Sequence, residues 1–237
     1  DLMSEKTEKS ERAYEKVVQY IKDEVWCGSL KRGERLPSER ELAESLGVSR
    51  NSVREAIRTL SMLGFISSTQ GAGNFVTCDF EKNVGESLRM MLALGETNYL
   101  QISQMRCALE CETAWLAAER ILPKQTARLQ ELVELMRQEP DAEKSSRYDL
   151  EFHRLLCEAS GNRLIKALFS AMMATVEDFI STMYRRISQN EEQMEKLHAA
   201  HGQLAQALAA HDHSAAAHAL MAHFETVDAS IKEEMLR

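Results

Sequence analysis

The chain has 237 residues, of which 44% are hydrophobic and 28% charged, a composition typical of globular proteins with one large or two modest domains. No apolar run approaches the roughly 20 residues of a transmembrane helix, and the polar N-terminal stretch has no signal-peptide pattern, so we expect a cytoplasmic protein. Residues 1–78 hold 12 basic and 12 acidic side chains, so the net charge of -8 belongs wholly to the residues after 78. The acidic net charge therefore does not exclude a nucleic-acid partner for the first 78 residues.

Short helices separated by glycine and proline turns are predicted in the first 78 residues. Apolar residues at helical spacing from Tyr14 to Val25 indicate the first helix. Ser38 and Glu41 form a capping-box pattern that starts the second, and Ser49 is a favourable N-cap for the third. The predicted elements are helices over 11–27, 38–46 and 49–63, and strands over 65–69 and 74–77 around a glycine turn at 70–73.

Strong helix formers dominate the sequence from residue 80 onward. Short connections between the predicted helices favour an antiparallel bundle. The seven helices are predicted over 81–95, 98–121, 124–138, 145–159, 162–188, 191–210 and 213–235. The predicted fold class is therefore mainly α: a winged helix-turn-helix of three helices and a two-stranded wing, followed by a seven-helix antiparallel bundle.

The third predicted helix carries a stripe of arginines. Arg50, Arg54 and Arg58 are spaced by four residues and therefore lie on one side of the helix. Such a ridge can bind phosphates and the guanine edges of the major groove. The alternative is a solvated helix face with Glu55 as a neighbouring counter-charge. The helix–glycine–helix–wing order favours DNA binding.

The segment from Tyr14 to Thr77 resembles the GntR family of bacterial regulators. The resemblance rests on RLPSERELAESLGVSRNSVREAIRTLSMLGFI and on a Q-G-x-G wing, whose tip lacks the basic residue that some members carry. It implies DNA contacts from the residues at the matching positions, which are Arg40, Ser49, Arg50, Arg54, Gln70 and Gly71.

Four polar side chains of the helical half are candidate metal ligands. Asp149 and His153 are one turn apart on one helix, while His201 and His223 lie on the apolar stripes of two others. Three imidazoles and a carboxylate that meet in a bundle centre can bind a divalent cation, although single inward histidines are usually hydrogen-bonded core residues. His198 is a reserve ligand. We expect three histidines at the surface: His211, His213 and His218.

The helical half resembles the FCD effector domain of the FadR-like branch of the GntR family. The matching motifs are DLEFH ending at His153, EASGN at 158–162, HGQLAQA at 201–207 and MAH at 221–223. The resemblance implies a divalent metal ion held by the four candidate ligands, with zinc ahead of nickel and manganese.

Arg106 lies on the apolar face of its predicted helix, where an unpaired guanidinium would be costly. One interpretation is an ion pair with Glu110, one turn further along. The FCD resemblance implies instead that Arg106 reaches a ligand cavity and binds the carboxylate of an organic-acid effector.

The predicted domains are residues 1–78 for DNA binding, 79–97 as a connecting segment with the first helix of the effector domain, and 98–237 as the metal- and effector-binding domain. The leading hypothesis is a transcription regulator controlled by a small carboxylate-bearing metabolite, without catalytic residues. The expected partners are palindromic operator DNA, the organic acid and a second copy of the chain, with no membrane. The alternatives are a metal-dependent hydrolase fused to a DNA-binding domain, and a regulator whose helical domain serves only dimerisation.

Overall fold

The computed structural model describes residues 2–235, and side chains from residue 11 onward within that range. The chain forms two compact units, Asp1–Asn83 and Val84–Arg237. The domain boundary inferred near residue 78 from the charge distribution stays a prediction.

Three helices and a hairpin form the N-terminal unit, as the sequence predicted. They are α1 (Leu2–Trp26), α2 (Glu39–Leu46), α3 (Arg50–Met62), β1 (Ile66–Thr69) and β2 (Gly73–Val76). The two strands are antiparallel, with Ile66 opposite Val76 and Thr69 opposite Gly73. The hairpin is the wing of a winged helix-turn-helix.

Capping residues fix the turn between α2 and α3. Ser38 and Glu41 form the complete capping box at the start of α2, and Gly47 ends that helix with φ of 64°. The Ser49 side chain then accepts a hydrogen bond from the backbone N–H of Ser52, which starts α3. Apolar side chains of α1, α2 and α3 bury against one another, among them Val17, Leu42, Val53, Ile57 and Leu60. The opposite side of α3 therefore faces solvent.

The first helix is longer than predicted. It begins at Leu2, whereas apolar periodicity indicated a start near residue 11. Residues 2–10 carry no apolar stripe, but their glutamates and lysines are good helix formers. A search for amphipathic periodicity therefore misses this extension.

Seven further helices follow, and the predicted number is confirmed. They are α4 (Phe80–Ala93), α5 (Tyr99–Arg120), α6 (Pro123–Gln138), α7 (Ala142–Ala159), α8 (Arg163–Ile187), α9 (Glu191–Ala209) and α10 (His213–Met235). The start of α7 was predicted three residues too late, because the Asp141 carboxylate caps it by accepting hydrogen bonds from the N–H groups of Glu143 and Lys144.

The core of the C-terminal unit lies between α5, α6, α7, α9 and α10, with Phe152, Phe224 and Leu208 among its buried residues. A second cluster between α5, α7 and α8 includes Ile102, Phe169 and Met172. The inner faces of α7, α9 and α10 thus meet inside the unit, and they carry the candidate metal ligands. Over residues 2–235, no helix combines the length and apolarity that crossing a bilayer requires.

Candidate metal centre and nucleic-acid interface

Four candidate ligands meet inside the C-terminal unit. Asp149 and His153 lie one turn apart on α7, His201 lies on α9 and His223 on α10. All four are buried, and one ligand atom from each lies within 4.8 Å of the others. The helical register thus brings together the residues that sequence reasoning selected.

The separations between these atoms fit a bound cation. Asp149 Oδ1 lies 3.1 Å from His201 Nε2 and 3.8 Å from His223 Nε2. It lies 3.9 Å from His153 Nε2. Zinc bonds to nitrogen and oxygen are about 2.0–2.2 Å long, which places neighbouring ligand atoms roughly 3–4 Å apart.

Unpaired polar atoms are concentrated at this cluster. Eight buried side-chain nitrogen or oxygen atoms among the described residues have no hydrogen-bond partner, and five belong to Asp149, His153, His201 and His223. The 3.1 Å contact between Asp149 and His201 therefore lacks the alignment of a hydrogen bond. Leaving such atoms unpaired is costly in a protein interior, and a divalent ion at their centre would satisfy four of them at once.

Hydrogen bonds at the far side of two rings orient them towards the cluster. His201 Nδ1 donates to the Leu197 carbonyl at 3.0 Å, and His153 Nδ1 hydrogen-bonds the carboxylate of Glu110. Each ring then presents its Nε2 lone pair to the cluster, which is the usual arrangement of metal-binding histidines. Sequence reasoning considered Glu110 only as a partner of Arg106, because no local pattern connects it to His153, 43 residues away.

The electrostatics of the cluster favour the protonation states that bind metal. Burial lowers the pKa of His223 to about 3, against the opposing effect of Asp149, so the imidazole is neutral. Burial opposes ionisation of Asp149, but the imidazoles of His201, His223 and His153 hold its pKa well below the usual range. A neutral His223 imidazole and an ionised Asp149 carboxylate are ligand forms that a divalent cation requires.

Arg106 and two of the four candidate metal ligands line one cavity. The space measures about 40 Å³, and Asp149 and His223 contribute to its wall together with mostly apolar side chains of α8. Arg106 Nε donates to Glu110 Oε1 at 3.0 Å, so the ion pair weighed from the sequence is present as well. The guanidinium lies 5.9 Å from the ring centre of Phe169 and 5.2 Å from that of Phe224, which hold it on two sides.

The remaining histidines lie outside the cluster. His198 is buried but does not belong to the group of four ligand atoms. His218 is exposed, as expected. His211 is exposed as expected, and His213 is half-buried. Their Nδ1 atoms hydrogen-bond the carbonyls of Ala118 and Trp115, at 2.7 and 2.8 Å. They tie the turn before α10 to the end of α5.

The arginine stripe of α3 is exposed. Arg50, Arg54 and Arg58 all face solvent. Arg54 donates through Nε and Nη2 to Glu39 Oε2, at 3.3 and 3.1 Å, so its counter-charge comes from α2 and not from Glu55. An exposed ion pair of this kind is weak, and the guanidinium can exchange it for a phosphate or a base.

The other expected DNA contacts are also accessible. Arg40 is exposed and lies 3.9 Å from Glu44, in a loose ion pair. The Ser49 side chain caps α3 by accepting a hydrogen bond from the backbone N–H of Ser52. Gln70 and Gly71 form the exposed tip of the wing, where Gly71 has φ of 78°.

Two family models match the chain. Residues 13–76 match "Bacterial regulatory proteins, gntR family", and residues 101–226 match the FCD domain. The first match spans the winged unit from α1 to β2. The second includes the four candidate metal ligands and Arg106.

Similar proteins cover most of the chain. The "Putative L-lactate dehydrogenase operon regulatory protein" of Escherichia coli (strain K12) is 32% identical over 216 residues, which are 86% of this chain and 80% of that protein. The "HTH-type transcriptional regulator LutR" of Bacillus subtilis (strain 168) is 32% identical over 204 residues, 85% of this chain and 93% of the relative. A solved structure described as Streptococcus agalactiae GntR has a TM-score of 0.63 and 25% identity, covering 92% of this chain and 99% of that one.

Proposed function

The chain belongs to the GntR family of bacterial regulatory proteins and is a transcription regulator with an FCD domain, and we propose that a small carboxylate-bearing metabolite, bound beside a divalent metal ion, controls its affinity for operator DNA. Relatives of this chain are transcription regulators, which favours binding over catalysis as the task of the FCD domain. One observation carries the proposal: Arg106 lines one cavity with two candidate metal ligands, Asp149 and His223, and both ligands have buried atoms without a hydrogen-bond partner.

The winged N-terminal unit supports separate DNA-binding and effector-binding segments along the chain. We assign DNA binding to residues 1–78, connection to residues 79–97 and effector binding to residues 98–237. In this proposal α3 enters the major groove with Arg50 and Arg54 towards the bases, while Arg40, Ser49, Gln70 and Gly71 contact the backbone or the minor groove. A homodimer would place two such helices on the half-sites of a palindrome.

A divalent ion in the cluster would be held by Asp149, His153, His201 and His223. Three imidazole nitrogens and one carboxylate oxygen suit zinc, and also nickel or manganese. When bound, the ion supplies positive charge and free coordination positions at the cavity wall. Arg106 supplies a second positive group, whose Nη atoms have no hydrogen-bond partner among the described residues. A carboxylate between the two is the ligand that this charge arrangement favours.

The cavity volume restricts the size of the metabolite. About 40 Å³ is room for a few water molecules, so we expect the cavity to fit an acid of a few carbon atoms. Ser103 also lines it and donates to Asp228 Oδ1 at 2.6 Å, which leaves the lone pairs of the serine oxygen available to a ligand hydroxyl. Short 2-hydroxy acids are therefore the first compounds to screen, L-lactate included, since one relative is named for an L-lactate dehydrogenase operon.

A thermal-shift screen of short carboxylic acids on zinc-loaded protein tests the proposal. We expect stabilisation that depends on the carboxylate and on the metal, without chemical change of the acid. Conversion of the acid, or hydrolysis of its esters, would favour the hydrolase alternative. Absence of stabilisation by any short acid would favour a domain that serves only dimerisation.

A further inference from the structure

Glu110 connects the cavity arginine to the metal cluster. Its side chain is completely buried. Oε1 accepts the hydrogen bond from Arg106 Nε at 3.0 Å, and Oε2 contacts His153 Nδ1 on the neighbouring helix α7. One carboxylate therefore touches both the proposed effector-binding cation and a proposed metal ligand.

The chemistry of the three groups determines where the protons lie. Arg106 Nε–H can only donate, and an ionised carboxylate can only accept. The Arg106 Nε–H donor takes Oε1 of Glu110, so Oε2 is the oxygen left to accept from His153. His153 Nδ1 must then carry the hydrogen, and its Nε2 keeps the lone pair that faces Asp149 and the cluster.

We infer that Glu110 is a positioning residue that fixes His153 in its metal-binding tautomer, and that Arg106 determines which side of the group at position 110 must accept a hydrogen bond. The inference rests on the proposed metal site. It requires a group at position 110 that can accept hydrogen bonds on both sides for as long as an arginine occupies position 106. The link spans two helices, and neither Arg106 nor Glu110 is among the four candidate metal ligands.

Replacement of the carboxylate by an amide separates this role from mere packing. In Glu110→Gln the shape is kept, but one side of the group accepts and the other donates. Arg106 requires the accepting oxygen, so the NH₂ group is left facing His153 Nδ1. The ring must then accept at Nδ1 and carry its hydrogen on Nε2, where it blocks the metal.

A second substitution should reverse this loss. In the Arg106→Met/Glu110→Gln double variant, position 106 no longer needs an acceptor, and methionine can occupy the space between Phe169 and Phe224. The amide is then free to turn its oxygen towards His153 Nδ1–H. Removal of a positive charge next to the cavity thus restores metal binding that the single variant has lost.

Zinc affinity, measured by competition with a chromophoric chelator, tests the inference on the wild type, three variants and a control variant. We expect Glu110→Gln to bind zinc about 10–100-fold more weakly than the wild type, and the double variant and Arg106→Met to bind close to the wild type. Glu112→Gln is the matched control, because Glu112 is an exposed residue of the same helix. Unchanged affinity in Glu110→Gln, or no recovery in the double variant, overturns the inference. Failure of the wild type to bind zinc refutes instead the metal site on which it rests.

Nitrogen-15 NMR spectra of the metal-free proteins report which ring nitrogen of His153 carries the hydrogen. A purely structural role of Glu110 would leave that tautomer unchanged in the variants. We expect His153 to carry its hydrogen on Nδ1 in the wild type and the double variant, and on Nε2 in Glu110→Gln. Thermal unfolding of each protein shows that it is folded. A folded Glu110→Gln variant with the wild-type tautomer contradicts the inference whatever its zinc affinity.

Discussion

Arg54 of the recognition helix lies 3.1 Å from Glu39 of α2, from Nη2 to Oε2. The pair crosses the turn of the helix-turn-helix, and both residues lie within the N-terminal unit. In the proposed function Arg54 faces the bases, and in the structure an acidic neighbour holds this side chain. If Arg54 contacts DNA as proposed, a phosphate or a guanine edge replaces that neighbour.

Loss of either exposed arginine of α3 should weaken operator binding. Arg50→Ala and Arg54→Ala should each cost about 1–3 kcal/mol if the side chain forms a bidentate contact with a base. Fluorescence anisotropy at fixed salt, with an operator selected from a pool of random duplexes, measures the change. Lys22→Ala is the control, since it removes one exposed positive charge of α1 in the same unit. Wild-type affinity in both arginine variants would show that α3 does not read the operator.

Release of Arg54 should strengthen DNA binding. In Glu39→Gln the guanidinium loses its intramolecular partner, and we expect a gain of about 0.2–1 kcal/mol, the usual strength of an exposed pair. The gain should include non-specific duplexes, because contacts to phosphate do not depend on sequence. Glu15→Gln changes the net charge equally on exposed α1 and should leave the affinity nearly unchanged. Weaker binding by Glu39→Gln would indicate that Glu39 supports the DNA-bound conformation.

The metal cluster should contribute to stability. Purified protein should contain close to one divalent ion per chain, and the His201→Ala/His223→Ala double variant should lose it together with part of the thermal stability. Elemental analysis and thermal unfolding with and without a chelator measure both effects. His218→Ala removes an exposed imidazole of α10 and serves as the control. Full metal content in the double variant would mean that other residues hold the ion.

Arg106 should serve the effector and not the ion. In Arg106→Met the carboxylate of Glu110 still contacts His153, so zinc binding should persist while stabilisation by short acids is lost. Truncation of one side of a buried charged contact typically costs about 2–5 kcal/mol in binding. Calorimetric titration of zinc-loaded protein with the best acid of the screen measures it. Unchanged acid affinity in Arg106→Met would remove the arginine from the site.

Local signals predicted much of the fold. Ser38, Ser49 and Gly47 fixed the boundaries of α2 and α3, because each satisfies backbone groups within a few residues of itself. The start of α7 was misplaced because the capping role of Asp141 was not recognised behind Pro140. The beginning of α1 was misplaced because its first residues have no apolar face to mark it.

The candidate site was predictable where helical spacing determines direction, and not where tertiary contacts do. The inward positions of His201 and His223 follow from the apolar stripes of their helices, and both are buried. The contacts of Glu110 with His153 and of Glu39 with Arg54 join residues 43 and 15 positions apart, so only the packing of one helix on another creates them.

In the proposed function the effector and the operator influence each other's binding. Titration of zinc-loaded protein with the best acid of the screen, in the absence and in the presence of saturating operator DNA, measures this coupling. A regulatory coupling of about 1–3 kcal/mol should change the dissociation constant of the acid by about 5–150-fold, and the acid should change the operator affinity by the same factor. Identical dissociation constants of the acid with and without operator would contradict the claim, and would leave the cavity without a regulatory role.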